Sequence, residues 1–450
     1  MTNWRGGLYY VARGLLGPRE WRRHFREVIR SDIEQLSAQY LERLLQHACR
    51  NVPHYRSLGL SGRPLDEYPV LTKAIIRSHP ERFRSADLAD RNWSRIQTSG
   101  STGETLEFSR DRGAEAWNAA TDAWYLSELL STSQRAHAGS VKVAVWHRRQ
   151  HATKPFSVWS RLARVASPTL WLDPFEALSE EGLLAYARTI NRARPSYIWA
   201  FAGILYEIAR TARDRGLRLH TPKFIICSGE TLHPFMRSVI EEAFACRAYD
   251  LYGSTEAGHV AGECSAGNLH IFAFSSCVEI LDPSGRTTPA GEEGRIVLTG
   301  LHNYAMPFIR YDTEDVAVVG PRDCPCGCQL PTISRIGGRT VEFFVTETGQ
   351  LVSGGRIAYL MRPLSWIVGF QVLQRDVDDI AVSFVRAAEA SVSQADVARV
   401  ERELTTMLGA GCRVHWEEVK EIPHTRNGKR PYARSLVWEE RQPISFWECS

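Results

Sequence analysis

The stretch 223-KFIICSGETLHPFMRSVIEEAFACRAYDLYG-253 decides the fold class of this 450-residue chain. Its two ends, 223–229 and 248–253, are short runs rich in β-branched and aromatic residues, a composition typical of strands. The segment between them, 234–245, places apolar residues at helical spacing. A strand, a helix and a second strand in this order predict an α/β architecture with a largely parallel sheet.

The same alternation extends towards the amino terminus, with strands predicted at 141–146 and 196–200 and a helix at 204–216. Further upstream, 33–49 has the pattern of an amphipathic helix. Residues 268–320 are β-rich with turn residues between the runs, which indicates a separate, more antiparallel layer. From 338 onward, strands at 370–375, 380–387 and 412–422 and a helix at 393–408 indicate a small α+β unit. The glycines of 336-IGGR-339 suggest the boundary, giving domains 1–337 and 338–450.

Bulk composition excludes several classes of protein. The apolar fraction of 44% is that of a globular chain, and no apolar run approaches the ~20 residues that span a bilayer. A net charge of +4 does not point to nucleic acid as a partner. The basic, aromatic segment 1–30 lacks the apolar core of a signal peptide. It predicts a surface helix, with contact to a membrane surface as the alternative.

Two Gly/Ser/Thr-rich segments are candidate nucleotide-binding elements. In 97-QTSGSTGETLEF-108, backbone N–H groups and hydroxyls can wrap phosphate oxygens, although no lysine is present. A hairpin turn explains the same composition. In 252-YGSTE-256, an aromatic ring at a strand end can stack on a base and the glutamate can hold Mg²⁺. A turn with a solvated glutamate is the alternative.

Two charged segments follow later in the chain. In 308-FIRYDTEDVA-317, carboxylates beside an arginine suit either a sugar diol or a surface ion pair. The basic segment 422-IPHTRNGKRPYARS-435 carries Lys429, and a solvated loop is its plainest interpretation.

Taken together in this order, the four segments resemble the adenylate-forming (ANL) superfamily. The similarity is to its branch of phenylacetate–CoA ligase-like, capsule-biosynthesis (CapK) and coenzyme F390 synthetase-type proteins. It extends from about residue 40 to about 435 and includes 52-VPHYR-56, 69-PVLTK-73, 228-SGETL-232, 249-YDLYGSTEAG-258 and 335-RIGGR-339. The resemblance implies a large amino-terminal domain with parallel and mixed sheets, helices and a β-rich subdomain. It also implies a small, mobile α+β carboxy-terminal domain.

The reaction implied by the resemblance has two steps. A carboxylate attacks the α-phosphorus of ATP and pyrophosphate leaves, and a nucleophile then displaces AMP from the acyl-adenylate. Such transfer needs positioning and charge neutralisation more than covalent help from the protein. The acid is expected to be aromatic, and the acceptor is CoA, an amine or a hydroxyl. A non-catalytic nucleotide-binding relative and a nucleotide-sugar transferase are the competing hypotheses, of which the second leaves Lys429 unexplained.

The resemblance also implies which residues surround ATP. The nucleotide and phosphate positions are Thr98, Ser99, Gly100, Ser101, Thr102, Gly103, Ser228, Gly229, Glu230, Tyr252, Gly253, Ser254, Thr255, Asp315 and Arg339. Among these, Tyr252 is expected to stack on adenine, Asp315 to bind the ribose hydroxyls and Arg339 to lie at the interdomain hinge. Glu256 is expected to bind Mg²⁺. Lys429 is expected to be the catalytic cation, delivered and withdrawn by rotation of the small domain.

Ten cysteines in a chain of this length are too few for a secreted disulfide scaffold, and most are scattered and apolar-flanked, which indicates a reduced, cytoplasmic protein. The segment 324-CPCGC-328 differs, because it places cysteines at every second residue, and 263-ECSAGNLH-270 adds a thiol and an imidazole. Thiolate and imidazole in a set of four are typical of structural Zn²⁺. The zinc sites of some related proteins share this order. The predicted ligands are Cys264, His270, Cys324 and Cys326, with Cys328 in reserve, and free thiols or an iron–sulfur site are the alternatives.

Two features depart from the family pattern. Val341 and Glu342 follow the hinge arginine where an Asp or Lys is usual, so domain rotation is expected to be controlled differently. The segment 131–140 lacks the usual Gly/Asp-rich turn, which suggests an acyl pocket of its own shape. The candidate pocket walls are Trp117, Trp124, Tyr125, Trp199 and Phe201, for which a place in the core is the plainer interpretation. Oligomeric state, monomer or homodimer, stays open.

Overall fold

The computed structural model describes residues 20–97, 106–130, 142–145, 169–172, 180–282, 284–336, 343–361, 364, 366–387, 389–420, 422 and 433–441. Three predicted regions lie outside these ranges: the phosphate loop at 98–103, the hinge at 337–342 and the Lys429 segment at 423–432. Within the ranges given, no helix combines the length and the apolar character needed to cross a bilayer.

The described part of the chain begins with four α-helices, and strands and helices then alternate up to residue 254, except at two places where two strands follow each other. In chain order they are α1 (Glu20–Arg30), α2 (Ile33–Asn51), α3 (Pro53–Leu58), α4 (Lys73–Ser78), β1 (Trp93–Gln97), β2 (Glu107–Asp111), α5 (Arg112–Trp124), β3 (Lys142–Val145), β4 (Thr169–Leu172), α6 (Glu180–Ala193), β5 (Tyr197–Ala200), α7 (Ala202–Asp214), β6 (Phe224–Ser228), α8 (Pro234–Phe244) and β7 (Ala248–Ser254).

The remaining elements are mostly strands. They are β8 (Gly258–Glu263), β9 (Leu269–Ile271), β10 (Ser276–Leu281), β11 (Glu293–Gly300), β12 (Tyr311–Val319), β13 (Thr332–Ile336), β14 (Phe343–Val345), β15 (Leu351–Ser353), α9 (Gly354–Met361), β16 (Ile367–Asp376), β17 (Asp379–Arg386), α10 (Gln394–Leu408), β18 (Arg413–Glu418), β19 (Ala433–Ser435) and α11 (Leu436–Arg441).

One mixed sheet forms the centre of the molecule, in the order β10-β11-β12-β13-β9-β8-β7-β6-β5-β3-β4. From β4 to β7 its strands are parallel, and β6 and β7 pair as the opening stretch predicts. From β7 to β10 they are antiparallel. The α/β fold class is therefore confirmed. The β-rich region is not the separate layer expected, because the tight β7–β8 turn continues the ladder of the parallel half.

The two faces of the parallel half have different cores. Helices α6, α7 and α8 cover one face with aliphatic side chains such as Ile190, Leu205 and Ile240. An aromatic cluster covers the other face, where Trp117 and Trp124 of α5 pack near Trp199 of β5. This aromatic face leads directly to the ends of β7 and β8.

The carboxy-terminal part has its own small sheet, β18-β17-β16-β19, and its own core. Val372 and Val382 of the central strands pack with Leu404 of α10 in that core. This α+β arrangement agrees with the unit predicted from residue 338 onward. Helix α11 returns to the large domain, where the Trp438 ring lies 6.2 Å from Phe235.

Candidate active site

The segments 252-YGSTE-256 and 308-FIRYDTEDVA-317 meet beside the turn between β7 and β8. The Tyr252 hydroxyl donates to Asp315 Oδ2 at 2.8 Å, and the Tyr311 hydroxyl donates to Glu256 Oε1 at 3.0 Å. Two carboxylates, each held by a tyrosine, therefore lie at one edge of the sheet. Ligands in α/β folds bind at this kind of place, beyond the carboxyl ends of parallel strands.

A cation that sequence reasoning missed lies at the same edge. Arg110 of β2 donates through its guanidinium to the Thr255 carbonyl and lies 5.4 Å from the centre of the Phe108 ring. Burial lowers the pKa of Arg110, while the charges of Glu115 and Glu256 raise it. The sequence has 55 lysines and arginines, and nothing in it distinguishes Arg110 from the others. Only the fold brings Arg110 to the Thr255 carbonyl.

At two positions beside the β7–β8 turn, Gly253 and Gly258, the packing leaves no space for a Cβ atom. A Cβ on Gly253 would lie 2.6 Å from the Gly258 carbonyl oxygen. Gly258 has φ +82°, and a Cβ there would lie 2.0 Å from Asn118 Oδ1 of α5. Ser254 Oγ accepts a hydrogen bond from Ala257 N–H at 3.0 Å. The conformation that presents Glu256 is thus fixed by tight packing and by its own hydrogen bond.

The segment 228-SGETL-232 follows β6 at the neighbouring strand end. Ser228 Oγ accepts a hydrogen bond from Trp199 Nε1 at 3.0 Å, and Gly229 has φ +77°. Glu230 Oε2 accepts from Gly203 N–H at 2.8 Å, in the first turn of α7. A carboxylate at a helix amino terminus is stabilised by the unpaired N–H groups and the helix dipole. The structure thus gives Glu230 a role in starting α7 that the sequence did not indicate.

The proposed acyl-pocket aromatics separate into different environments. Trp124 and Tyr125 lie buried at the carboxyl end of α5, where the Trp124 ring is 5.2 Å from that of Phe274 and the Tyr125 hydroxyl donates to the Glu263 carbonyl. Trp117 is stacked on His302 at 3.9 Å, inside the same cluster. Phe201 belongs to the opposite, aliphatic face.

Trp199 alone among these candidates lies beside polar groups at the end of the sheet. Its ring is 5.2 Å from that of His259, the second residue of β8, and 4.2 Å from Lys142 Nζ. His259 Nδ1 and Asp122 Oδ1 of α5 are 2.5 Å apart. Neither His259 nor Asp122 was predicted, because each becomes notable only through a partner 137 residues away.

The structure brings together the four predicted zinc ligands, Cys264, His270, Cys324 and Cys326, with ligand atoms all within 4.8 Å of one another. Cys264 Sγ and Cys324 Sγ are 3.6 Å apart, and Cys326 Sγ is 3.2 Å from His270 Nε2. A tetrahedral zinc ion with Zn–S of about 2.3 Å and Zn–N of about 2.0 Å separates its ligand atoms by roughly 3.5–3.8 Å. The residues present fit such an ion.

Surrounding groups orient these ligands as in known zinc sites. His270 Nδ1 is 3.0 Å from the Leu330 carbonyl oxygen, which leaves Nε2 for a metal. Ala266 N–H donates to Cys264 Sγ and Asn268 Nδ2 donates to Cys324 Sγ. The two ligand pairs are remote in sequence, but the pairing of β9 with β13 brings their loops together. Cys328 lies nearby, and its N–H donates to Cys326 Sγ at 3.5 Å.

The remaining predicted site residues, Thr98 to Gly103, Arg339 and Lys429, lie outside the described residues. The described part therefore contains the residues predicted to bind the nucleoside, Tyr252 and Asp315, and the predicted magnesium ligand Glu256. Strands β1 and β2, which flank the 98–103 loop, form a hairpin in which Gln97 pairs with Glu107.

Residues 344–434 match the family model of the CapK C-terminal domain. The chain is 24% identical to Protein CapK of Staphylococcus aureus over 430 residues, covering 91% of this chain and 92% of that protein. It is 28% identical to phenylacetate-coenzyme A ligase of Aromatoleum evansii over 218 residues, which cover 43% of this chain and 47% of that ligase. The fold matches that of 2-hydroxyisobutyryl-CoA ligase, solved with 2-HIB-AMP and CoA in the thioesterification state. That match has a TM-score of 0.58 and 19% identity, and it covers 90% of each chain.

Proposed function

We propose, from its similarity to Protein CapK and to phenylacetate-coenzyme A ligase and its match to the CapK C-terminal domain model, that this chain is an ATP-dependent ligase that activates an aromatic carboxylic acid. A carboxylate oxygen attacks the α-phosphorus of ATP, the bond to pyrophosphate breaks, and an acyl-adenylate forms. A nucleophile then attacks the acyl carbonyl and AMP leaves. The observation that carries the proposal is the meeting of Tyr252 with Asp315 and of Glu256 with Tyr311.

We assign a task in this reaction to each of the candidate site residues that the structure describes. Asp315, positioned by the Tyr252 hydroxyl, receives the ribose hydroxyls, and the Tyr252 ring provides a face for adenine. Glu256, oriented by Tyr311, holds the Mg²⁺ that neutralises phosphate charge. Arg110 holds the backbone of the turn that carries Glu256 and adds a positive charge to that edge.

The remaining roles belong to residues 98–103, which we propose as the phosphate loop, and to Lys429. A lysine on a separate domain can add its charge for the first step and withdraw for the second. We place the boundary between these domains at residues 337 and 338. Position 341 is a valine instead of the usual Asp or Lys. We therefore propose that other contacts control the rotation of the small domain.

For the acceptor we favour the thiol of CoA, since the phenylacetate relative is a CoA ligase. An amine or hydroxyl acceptor is the second candidate, because the longer similarity is to CapK. A radioactive or mass-labelled acid, incubated with ATP and each acceptor in turn, separates the two by the product formed. The described cysteines are all free, which suits our placement of the enzyme in the reducing cytoplasm.

We further propose that Cys264, His270, Cys324 and Cys326 bind a structural Zn²⁺ that joins the loops after β8 and before β13. All four positions of a tetrahedral ion are taken by the protein, so none is left for substrate. Metal analysis of the purified protein is expected to give one zinc per chain. Cys324→Ser should lose the zinc, whereas Cys49→Ser, at a thiol that lies beside the Tyr68 hydroxyl in a different core cluster, should retain it. A zinc-free wild-type protein with fully reactive thiols contradicts the assignment.

Acid-dependent exchange of labelled pyrophosphate into ATP tests the proposed reaction. A panel of aryl and arylacetic acids should include at least one that supports exchange. Lys429→Ala should reduce that exchange by orders of magnitude with little change in unfolding temperature. Lys420→Ala, an exposed lysine of the same domain, is the matched control and should retain exchange. Exchange that is unchanged in Lys429→Ala removes this residue from the mechanism, and no exchange with any acid favours a non-catalytic nucleotide-binding protein.

A further inference from the structure

Three polar side chains lie together between α5 and the start of β8, beside Trp199. They are the imidazole of His259, the carboxylate of Asp122 and the amide of Asn118, which is pressed against Gly258. The Trp199 ring packs against His259 and is itself fixed by its hydrogen bond to Ser228. We call this group of residues the α5–β8 cleft.

The cleft adjoins the adenylate site but is separate from its nucleotide side. His259 of β8 pairs with Gly253 of β7, and Gly253 directly follows Tyr252 in the chain. Tyr252 is directed to Asp315 of β12, whereas His259 is directed to Asp122 of α5. With the nucleoside held by Tyr252 and Asp315 as proposed above, we place the acyl group on the other, α5 side of the turn.

The His259–Asp122 pair is not needed to hold α5 on the sheet. Asn118 already packs on Gly258, and the Tyr125 ring packs so closely on Gly262 that a Cβ there would lie 2.5 Å from it. The side chains of His259 and Asp122 are 26% and 34% exposed. Ion pairs with this much exposure contribute little to stability. A well-oriented polar pair that is open to solvent beside a substrate site suits recognition better than folding.

The chemistry of the cleft selects one kind of substituent. Asp122 occupies Nδ1 of His259, and within the described part of the chain the structure gives Nε2 no hydrogen-bond partner. Asp122 and Lys142, which shares the Trp199 ring with His259, carry opposite charges, so this group of side chains has no net charge that would favour a charged substituent. A neutral hydroxyl suits it, because a hydroxyl donates and accepts, as do imidazole and the Asn118 amide.

We propose that the α5–β8 cleft makes this ligase selective for carboxylic acids that carry a hydroxyl group, with His259 as the specificity-determining residue and Asp122 as its positioning residue. The proposal rests on the adenylating function proposed above. A site built to hydrogen-bond a hydroxyl rejects the analogue without it, because its own polar groups are then left unpaired.

The test compares pairs of acids that differ only in the hydroxyl: benzoate with the three hydroxybenzoates, and phenylacetate with the three hydroxyphenylacetates. In pyrophosphate exchange, we expect kcat/KM for the best hydroxylated acid to exceed that for its parent by about tenfold or more. His259→Phe should bring this ratio close to one, mainly through loss on the hydroxylated acid. His259→Gln, which keeps a donor and an acceptor, should restore part of it. Asp122→Asn should give an intermediate ratio.

Failure of the cleft can be distinguished from failure of the function. Wild-type exchange with a ratio near one, or an equal loss for both acids in His259→Phe, overturns the selectivity while the ligase stands. If no acid supports exchange, calorimetric titration of the same acids tests the selectivity of the α5–β8 cleft independently of the reaction. Binding of a hydroxybenzoate that His259→Phe abolishes supports the cleft without the reaction, and binding that is absent or unchanged in the variant overturns it. Equal unfolding temperatures for wild type and variants exclude a merely structural effect.

Discussion

Gly258→Ala is the substitution whose cost the structure defines most clearly. The new Cβ would lie 2.0 Å from Asn118 Oδ1, 2.6 Å from its Cγ and 2.8 Å from its Nδ2, so the whole amide has to move. The backbone at Gly258 has φ +82°, a conformation that costs an alanine about 1–2 kcal/mol. Overpacking adds typically about 1–3 kcal/mol. We therefore expect the free energy of unfolding to fall by about 2–5 kcal/mol, the sum of these two costs.

The chain offers a matched control for this substitution. Gly285 also has φ +82°, but nothing lies within 4 Å of a Cβ built there. Gly285→Ala should therefore lose only the backbone part, about 1–2 kcal/mol. Adding Asn118→Ala to Gly258→Ala should return much of the overpacking cost, because the clashing amide is gone. Urea unfolding of all four proteins at one pH measures the differences.

Two results would refute this reasoning. Equal losses for Gly258→Ala and Gly285→Ala mean that Asn118 does not press on the turn. A double variant no more stable than Gly258→Ala means that the cost arises elsewhere. The same proteins, assayed for pyrophosphate exchange well below their unfolding temperatures, show whether the turn also presents Glu256. We expect Gly258→Ala to lose exchange and Gly285→Ala to keep it, since Gly258 directly follows the turn that carries Glu256 and Gly285 does not.

Three further predictions concern single residues. Arg110→Ala should slow pyrophosphate exchange about tenfold or more, because the charged hydrogen bond to the Thr255 carbonyl is lost, whereas the exposed Arg112→Ala should not. Glu230→Gln should lower the free energy of unfolding by about 0.5–2 kcal/mol in urea, through loss of the charge at the start of α7. Burial lowers the pKa of His302 to about 3, below its ordinary value of 6.5, so the unfolded chain binds the extra proton between those values. His302 should therefore lower stability by up to about 1.4 kcal/mol for each pH unit from 6.5 towards 3, and His302→Gln should reduce the slope of unfolding free energy against pH by this share. The remainder belongs to other groups such as His24 and His233, whose pKa values burial also lowers.

The strand–helix–strand stretch was predictable because its signals are local. Five consecutive apolar or small residues at 224–228 identify a buried strand, and Pro234 marks the first residue of the following helix. The predicted helix over 234–245 and the observed one over 234–244 differ by one residue. The proximity of Cys264, His270, Cys324 and Cys326 was predictable for a similar reason, since cysteines at alternate positions with an upstream thiol and imidazole are a local pattern typical of zinc ligands.

The contacts that organise the candidate site were not predictable from local patterns. Tyr252 and Asp315 are 63 residues apart, and Arg110 and Thr255 are 145 apart. Each pair depends on the order of strands in the sheet and on the placement of β2 beside it. The role of Glu230 at the start of α7 likewise depends on the parallel pairing of β5 and β6, which puts the two strand ends side by side.

Strand β8 connects the proposed adenylate site to the proposed zinc site, and its length limits the role that a zinc ion could have. The strand begins at Gly258 and His259, next to Glu256, and ends at Glu263, directly before Cys264. Six residues of strand span roughly 20 Å, so a zinc ion at Cys264 lies too far from the phosphates to act on them. It can nevertheless fix the register of β8 against β9 and of β9 against β13, because its ligands flank these pairings. A one-residue slip in β8 would turn His259 away from Asp122 and move Gly258 from Asn118. The proposed metal site, the turn at Glu256 and the α5–β8 cleft at His259 therefore depend on the same strand register, although we propose only the last two as substrate-facing.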